Sequence, residues 1–331
     1  MKPPAASTHR NTKDNNFDRV MARLSHTAAK PVRTARRVRA PESVGAAIER
    51  CARALRAGRV VFGHGTANAR DEAAELVFFA AGLAHALGAS AYPRKLKPRQ
   101  VTRVDELLHR RIAERIPLAY LTHRAFFAEM ELYIDERVLV PRSPIAELVV
   151  NRFEPWIRAR RVRRILDIAT GSGAIALACA KAFPRARVDA ADISAAALEV
   201  CRRNVRRLGL SARVTPLRSD YFSAVAGRYD IIVSNPPYVG RAEMRTLPPE
   251  YRHEPRLGLA SGVDGLDSVR AIFAEARSHL EDEGILVVEV GNTEAALIKA
   301  FPRLPFVWPR IAMGGEGVFL LNARDLDAVG P

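Results

Sequence analysis

The sequence predicts an α/β protein whose larger part is a mainly parallel sheet covered by helices on both faces. Three observations carry this. After Arg160 the chain alternates strand-length apolar runs with helical periodicity, the pattern that crossovers between parallel strands require. A run of small residues, Asp167-Ile168-Ala169-Thr170-Gly171-Ser172-Gly173, separates the first such strand from its helix. Carboxylates, Asp192 and Asp220, follow the next two strands, and in such sheets ligands gather outside the strands' carboxyl ends.

The 331 residues suggest two domains, and a hydrophobic content of 48% is ample for buried cores. Fifty-two Lys and Arg against 36 Asp and Glu give a net charge of +16. Such a surface is drawn to polyanions, so ribosomal RNA or another nucleic acid is an expected neighbour. Residues 1–40 hold ten of the basic residues and only Asp14 and Asp18 as acids. They read as a disordered basic tail. Cys51, Cys179 and Cys201 are far apart with no paired histidine spacing, which predicts a reducing, cytoplasmic setting and no metal site. The uncharged stretch from Leu76 to Pro93 is broken by Gly82, His85, Gly88 and Ser90. It reads as a packed helix with its exit and not as a membrane span.

Residues 41–116 have the periodicity of a small helical domain. Val44, Ala47, Ile48, Cys51 and Leu55 share one face, and Gly58 ends that helix. Gly58 and Gly63 have the spacing of a phosphate loop, but His64 stands where the lysine belongs and Gly65 where the hydroxyl belongs, so a turn is expected. Further helices are expected at about 71–87 and 103–115, the latter capped by Thr102. Residues 117–145 change to strand-like runs, Phe126 to Ile134 and Arg137 to Val140, separated by Asp135-Glu136. This predicts a β-hairpin linker. It ends at Pro141-Arg142-Ser143-Pro144, where a rigidly held Arg142 is a candidate anion or carbonyl ligand. A helix at 145–156 follows.

In residues 146–326 strands are expected at 164–168, 187–191, 213–217, 229–234 and 285–290, with helices at 173–183, 194–208 and 267–280. The loops after Ile168, Ala191, Leu217 and Ser234 would then face one pocket. The small residues Ala169 to Gly173 let a ligand approach unpaired helix N–H groups. Asp192, 21 residues beyond Gly171, can accept from both hydroxyls of a ribose. Asp220 can reach an adenine amino group, with Tyr221 or Phe222 along the ring. Gly171, Gly173, Ala176 and Asp192 equally satisfy the dinucleotide fingerprint. Asp167, a second acid before the loop, and the end of the fourth strand favour S-adenosylmethionine.

That strand ends in Asn235-Pro236-Pro237-Tyr238. A side-chain amide, two residues without N–H donors and an aromatic ring suit a clamp for a flat NH2-bearing group. With an activated methyl donor beside it, the clamp predicts methyl transfer. The alternative is a strand stop with a core tyrosine.

These segments resemble the glutamine-amide methyltransferases that act on release factors and on a ribosomal protein. The Asp-x-x-Thr-Gly-Ser-Gly loop and Asn-Pro-Pro-Tyr are common to both branches. Tyr120-Leu121-Thr122, the run from Asp135 to Ile145, and Glu250-Tyr251-Arg252-His253-Glu254-Pro255 leading into Leu259-Ala260-Ser261-Gly262 are more specific. They are similar to the branch that methylates large-subunit ribosomal protein three. In the linker, Ser143-Pro144-Ile145 replaces the Pro-Asp-Thr typical of the release-factor branch. The resemblance covers about residues 44–326 and implies a Rossmann-like S-adenosylmethionine-dependent methyltransferase domain behind a helical substrate-recognition domain. It implies that Asp167, Ala169, Thr170, Gly171, Ser172, Gly173, Asp192, Asp220, Tyr221 and Asn235 hold the cofactor. Asn235, Pro236, Pro237 and Tyr238, with Arg142, would hold the target glutamine. Ala169 stands where many relatives carry glycine or cysteine. Two other functions use the same residues: an adenine-amino methyltransferase on RNA or DNA, and a ribosome-assembly factor that only binds S-adenosylmethionine and RNA. The first lacks an added target-reading domain here, and the second has no need of the clamp.

Overall fold

The computed structural model describes residues 42–312 and 314–328; the basic tail at 1–40 lies outside them. Three helices form the N-terminal layer: α1 (Val44–Ala57), α2 (Ala69–Ala81) and α3 (Pro98–Ala113). The Ser43 hydroxyl caps α1 by accepting from Ala46 N, and the Asn68 amide oxygen caps α2 by accepting from Arg70 N and Asp71 N. Val44, Ile48, Leu55, Leu76 and Val104 meet in their shared core. Helix α2 stops short of the predicted Leu87 because Gly82 adopts φ 66°, a left-handed exit that glycine makes without strain. Helix α3 starts earlier than predicted. Pro98 presets the first helical φ, Gln100 Oε1 accepts from Lys97 N at 2.8 Å, and Thr102 is an interior residue donating to Pro98 O.

Short α4 (Leu118–Thr122) leads into an antiparallel hairpin of β1 (Arg124–Phe127) and β2 (Met130–Tyr133). Its turn is Ala128-Glu129, with φ of 45° and 60°, and not Asp135-Glu136. Neither residue advertises positive φ as Asn-Gly would, so the turn was hidden. Asp135 instead ends the hairpin by accepting from Arg137 N and the Arg137 guanidinium. Residues 137–140 form no strand, and Val140 N donates to the side chain of Glu254. The next helix, α5 (Ile145–Val150), is half its expected length.

The rest is a six-stranded sheet in the order β5-β4-β3-β6-β7-β8. Its strands are β3 (Arg164–Ile168), β4 (Arg187–Asp192), β5 (Val214–Arg218), β6 (Tyr229–Ser234), β7 (Leu280–Glu289) and β8 (Val318–Asn322). Helices α6 (Ala174–Ala182), α7 (Ala195–Arg207), α8 (Asp267–Ala276) and α9 (Glu294–Ala300) connect or cover them. All pairs are parallel except β7 with β8. Sequence periodicity missed α9 and β8 and started β7 late. Alternate residues of β6 enter opposite cores, with Ile231 and Val233 on one face and Ile232 on the other. The chain reverses direction across the sheet between β3 and β6, where Ile168 pairs with Ser234 and Ser234 Oγ donates to Ile168 O at 2.8 Å. That is the crevice where a ligand fits. Among the described residues no single helix is long and apolar enough to cross a membrane.

Candidate active site

A cavity of about 320 Å³ opens at this crevice. Ala169, Thr170, Gly171 and Ser172 form one wall, with Asp192, Asp220 and Tyr221 beyond them. Asn235, Pro237 and Tyr238 form a second wall, and the linker from Val138 to Ser143 lines the cavity too.

The loop after β3 is held from below by Asp167. Its Oδ2 accepts from Thr170 Oγ1 at 2.5 Å and Ala176 N at 3.0 Å. Asp167 is 1% exposed and does not line the cavity, so it braces the loop from beneath. Burial pushes its pKa up to about 7, against the pull of those two hydrogen bonds. Gly173 is also structural: a Cβ there would stand 2.7 Å from Cys201 Sγ, so helix α7 demands glycine. Gly171, at φ 55°, has open space where its Cβ would be, and a ligand can approach its backbone. Ala169 adopts φ 56°, a conformation that glycine takes more cheaply.

Asp192 ends β4. Its Oδ2 accepts from Gly171 N and its Oδ1 from Ser194 N, both at 2.8 Å. Burial raises its pKa, and those N–H groups oppose the rise. The protein thus uses one lone pair on each oxygen, leaving the others for a diol. Asp220 is exposed at the cavity. The choice between Tyr221 and Phe222 is made by packing: Tyr221 lines the cavity, whereas Phe222 turns inward to stack on His279 at 4.8 Å. The donor set suits a nucleoside with a cationic group: two carboxylates, an aromatic ring and small backbone-exposing residues.

On the second wall, no protein hydrogen bond among the described residues engages the Asn235 amide, and no backbone N–H ends on the Pro236 carbonyl. Pro236 itself is buried, and Pro237 is the proline on the cavity wall. The Tyr238 hydroxyl donates to Glu289 Oε1 at 3.0 Å. Arg142 lines the cavity too, but its fork is occupied: Nη1 and Nη2 donate to Glu254 Oε1 and Oε2 at 2.5 and 2.8 Å. Burial disfavours the Glu254 carboxylate, yet Arg142 and His64 hold its pKa down at about 2. Bidentate pairing makes Arg142 a brace for the segment after the clamp before it can be a ligand.

That segment reaches the helical layer through residues that periodicity did not reveal. Arg111, on α3, is fully buried. It donates from Nε to Glu72 at 2.7 Å, from Nη1 to Glu250 at 3.3 Å and from Nη2 to Val61 O at 2.7 Å. An arginine wholly inside a core needs carboxylates around it, and Glu250 arrives from beyond the clamp. The only sequence signal was an acid pair, Glu250 and Glu254, in a motif with no assigned chemistry.

Residues 146–247 match the methyltransferase small domain family. Over 82% of its length the chain is 42% identical to a ribosomal protein uL3 glutamine methyltransferase from Francisella tularensis, covering 87% of that protein. It is 46% identical to the protein of the same name from Xanthomonas campestris, over 81% of this chain and 87% of the relative. With the Bordetella pertussis protein of that name it shares 45% identity over 82% and 92%. The chain belongs to the uL3 glutamine methyltransferase family. It is a methyltransferase, and membership extends well beyond the matched domain. The family relationship therefore includes the helical layer and linker as well as the sheet.

Proposed function

We infer that this enzyme transfers a methyl group from S-adenosylmethionine to the side-chain amide nitrogen of a glutamine in large-subunit ribosomal protein uL3. The carrying observation is that Asn235, Pro237 and Tyr238 line one cavity with Asp192 and Asp220. The named relatives support the choice of substrate. Asp192 would take the ribose hydroxyls, Asp220 the adenine amino group and Tyr221 the ring face, with Ala169 to Gly171 beneath. When bound, S-adenosylmethionine supplies a methyl group activated on a sulfonium.

The chain's own task is to make an amide nitrogen nucleophilic. Its lone pair is delocalised into the carbonyl, a resonance that opposes rotation by about 18–20 kcal/mol. The Asn235 side-chain oxygen and the Pro236 carbonyl, both without protein donors among the described residues, would accept the two N–H groups of the glutamine. Tyr238 would lie along the amide plane. Fixed acceptors draw electron density onto nitrogen and hold its lone pair towards the methyl donor. Once methylated, the nitrogen is acidic and its proton leaves to solvent, so no general base beside Asn235 is needed.

Residues 41–116 serve as the substrate-recognition domain, and the excess basic charge draws the enzyme to ribosomal RNA in an assembling subunit, in the cytoplasm. Association with assembly intermediates is then expected to weaken as salt rises; salt-independent association rejects that part. The decisive assay follows labelled methyl from S-adenosylmethionine into an extract lacking the enzyme. Protease-sensitive label in uL3 is expected, and nuclease-sensitive label overturns the reading.

A further inference from the structure

Glu289 closes β7 at the floor of the clamp and is 5% exposed. Its Oε1 accepts from the Tyr238 hydroxyl at 3.0 Å and its Oε2 from the Ser143 hydroxyl at 2.5 Å. Ser143 Oγ in turn accepts from Ile145 N at 3.2 Å, at the start of α5. One carboxylate therefore joins the clamp's aromatic ring to the linker loop beside Arg142.

The ring is confined on another side by glycine. A Cβ on Gly291 would stand 2.6 Å from Tyr238 Cε2, and one on Gly265 would stand 2.4 Å from Tyr238 O. Gly317 lies equally close behind Gly291, where a Cβ would stand 2.1 Å from Gly291 O. Backbone thus presses on the ring edge, and the hydroxyl bond is what sets its tilt about the last side-chain torsion, which is otherwise broad.

A buried carboxylate is a costly way to achieve this. Among the described residues Glu289 has no ion-pair partner within direct reach, and burial raises its pKa while Ser143, Tyr238 and the charge of Arg142 oppose the rise. Two hydroxyl donors return only part of the desolvation cost. An apolar residue would serve stability better, so the carboxylate's value lies in what it orients.

We propose that Glu289 is a positioning residue for methyl transfer: it fixes the plane of the Tyr238 ring and, through Ser143, locks that ring to the linker. The proposal rests on the reading that Tyr238 lies along the substrate amide. Preorganisation of this kind is expressed in turnover and not in cofactor affinity, because the ring faces the amide and the cofactor loop is braced separately by Asp167 and Asp192.

The test compares full-length wild type with Glu289→Ala, Glu289→Gln, Tyr238→Phe and the Tyr238→Phe/Glu289→Ala double variant. Turnover and KM are measured with uL3, and S-adenosylmethionine affinity by calorimetry. Glu289→Ala and Tyr238→Phe are each expected to lower kcat by about 100-fold, the effect of a misplacement on the order of 1 Å. The double variant should be no slower than either, with cofactor affinity unchanged throughout. Glu289→Gln should recover most of the rate, since its amide oxygen still accepts from Tyr238. Multiplicative losses in the double variant, or wild-type kcat in Glu289→Ala, overturn the proposal. If Glu289→Ala does not fold, Tyr238→Phe decides, and wild-type kcat there overturns it, because the hydroxyl is the handle by which Glu289 reaches the ring. Failure of the wild type to label uL3 rejects the functional reading instead. In that event a crystal structure of Glu289→Ala beside Tyr238→Phe reads the ring directly, and an unmoved ring in both overturns the positioning role.

Discussion

The two walls of the cavity are built on different length scales. On the cofactor side most bracing contacts join residues close in sequence: Asp167 to Thr170 and Ala176, and Asp192 to Ser194 and Gly171, at most 21 positions apart, with Asn204 Nδ2 adding a donor to Ser172 O across 32. On the clamp side they span 51 positions from Tyr238 to Glu289, 112 from Arg142 to Glu254 and 139 from Arg111 to Glu250. One wall is a property of two adjacent βα units. The other exists only when the helical layer, linker and sheet have come together, so on the proposed function substrate positioning is coupled to the N-terminal layer, whereas the cofactor loop draws mainly on its own two βα units.

Breaking the long-range side should separate the two walls most visibly. Arg111→Met leaves Glu72 buried without its cation and Glu250 with only Arg115, 3.6 Å away, and a loss of about 3–5 kcal/mol is expected in urea unfolding. Methylation of uL3 should slow as well, with S-adenosylmethionine affinity preserved in the folded fraction. Matched loss of cofactor affinity would show that the walls are not separable. Replacing Glu72 and Glu250 together with Arg111 by methionine should restore much of the stability.

Asn235→Ala removes the proposed amide acceptor and should lower kcat by about 10²–10³-fold, as loss of one preorganised polar contact does elsewhere. Calorimetry should find cofactor binding nearly unaltered, and normal turnover would exclude the clamp. The mirror experiment is Asp192→Ala, which removes a charged acceptor of two hydrogen bonds and should weaken S-adenosylmethionine by about 10–100-fold. Unchanged affinity would reject the ribose assignment.

Acid–base behaviour sharpens the cofactor side. The Asp167 pKa is raised from 3.8 to about 7 by burial, so between those values the folded state holds a proton that the unfolded state has lost. That contribution to stability is complete below pH 3.8 and disappears as pH rises through about 7. Asp167→Asn keeps an acceptor for Thr170 and Ala176 but cannot ionise, so wild type should lose stability relative to it between pH 5 and pH 8. Parallel pH profiles by urea unfolding would contradict the buried acid. The smallest effect is expected at Ala169, whose left-handed φ costs about 1–2 kcal/mol that glycine avoids, partly offset by the freedom glycine adds to the unfolded chain. Ala169→Gly should raise the melting temperature slightly with cofactor affinity unchanged.

What could be read from the sequence follows the same division. Strand and helix periods report local geometry, so β3 and β6 were located to the residue and the loop from Ala169 to Ser172 was assigned to the pocket that it lines. The resemblance implies ligand contacts for Asp167 and Gly173. Only packing shows that Asp167 lies beneath the loop and that Gly173 yields space to Cys201. The hairpin turn was displaced because Ala128 and Glu129 carry no signal for positive φ.

The sequence by itself determined the parallel sheet, the crevice at its carboxyl edge and the place of Asn235-Pro236-Pro237-Tyr238 at that edge, because these depend on residue type and short spacing. Tertiary structure alone decided that Tyr221 and not Phe222 faces the cavity, that Arg142 is committed to Glu254, and that Glu289 and Arg111 belong to the clamp's support. The physical reason is burial. A charged side chain inside the protein is tolerable only with partners brought from distant parts of the chain, and no local pattern announces which partners those will be.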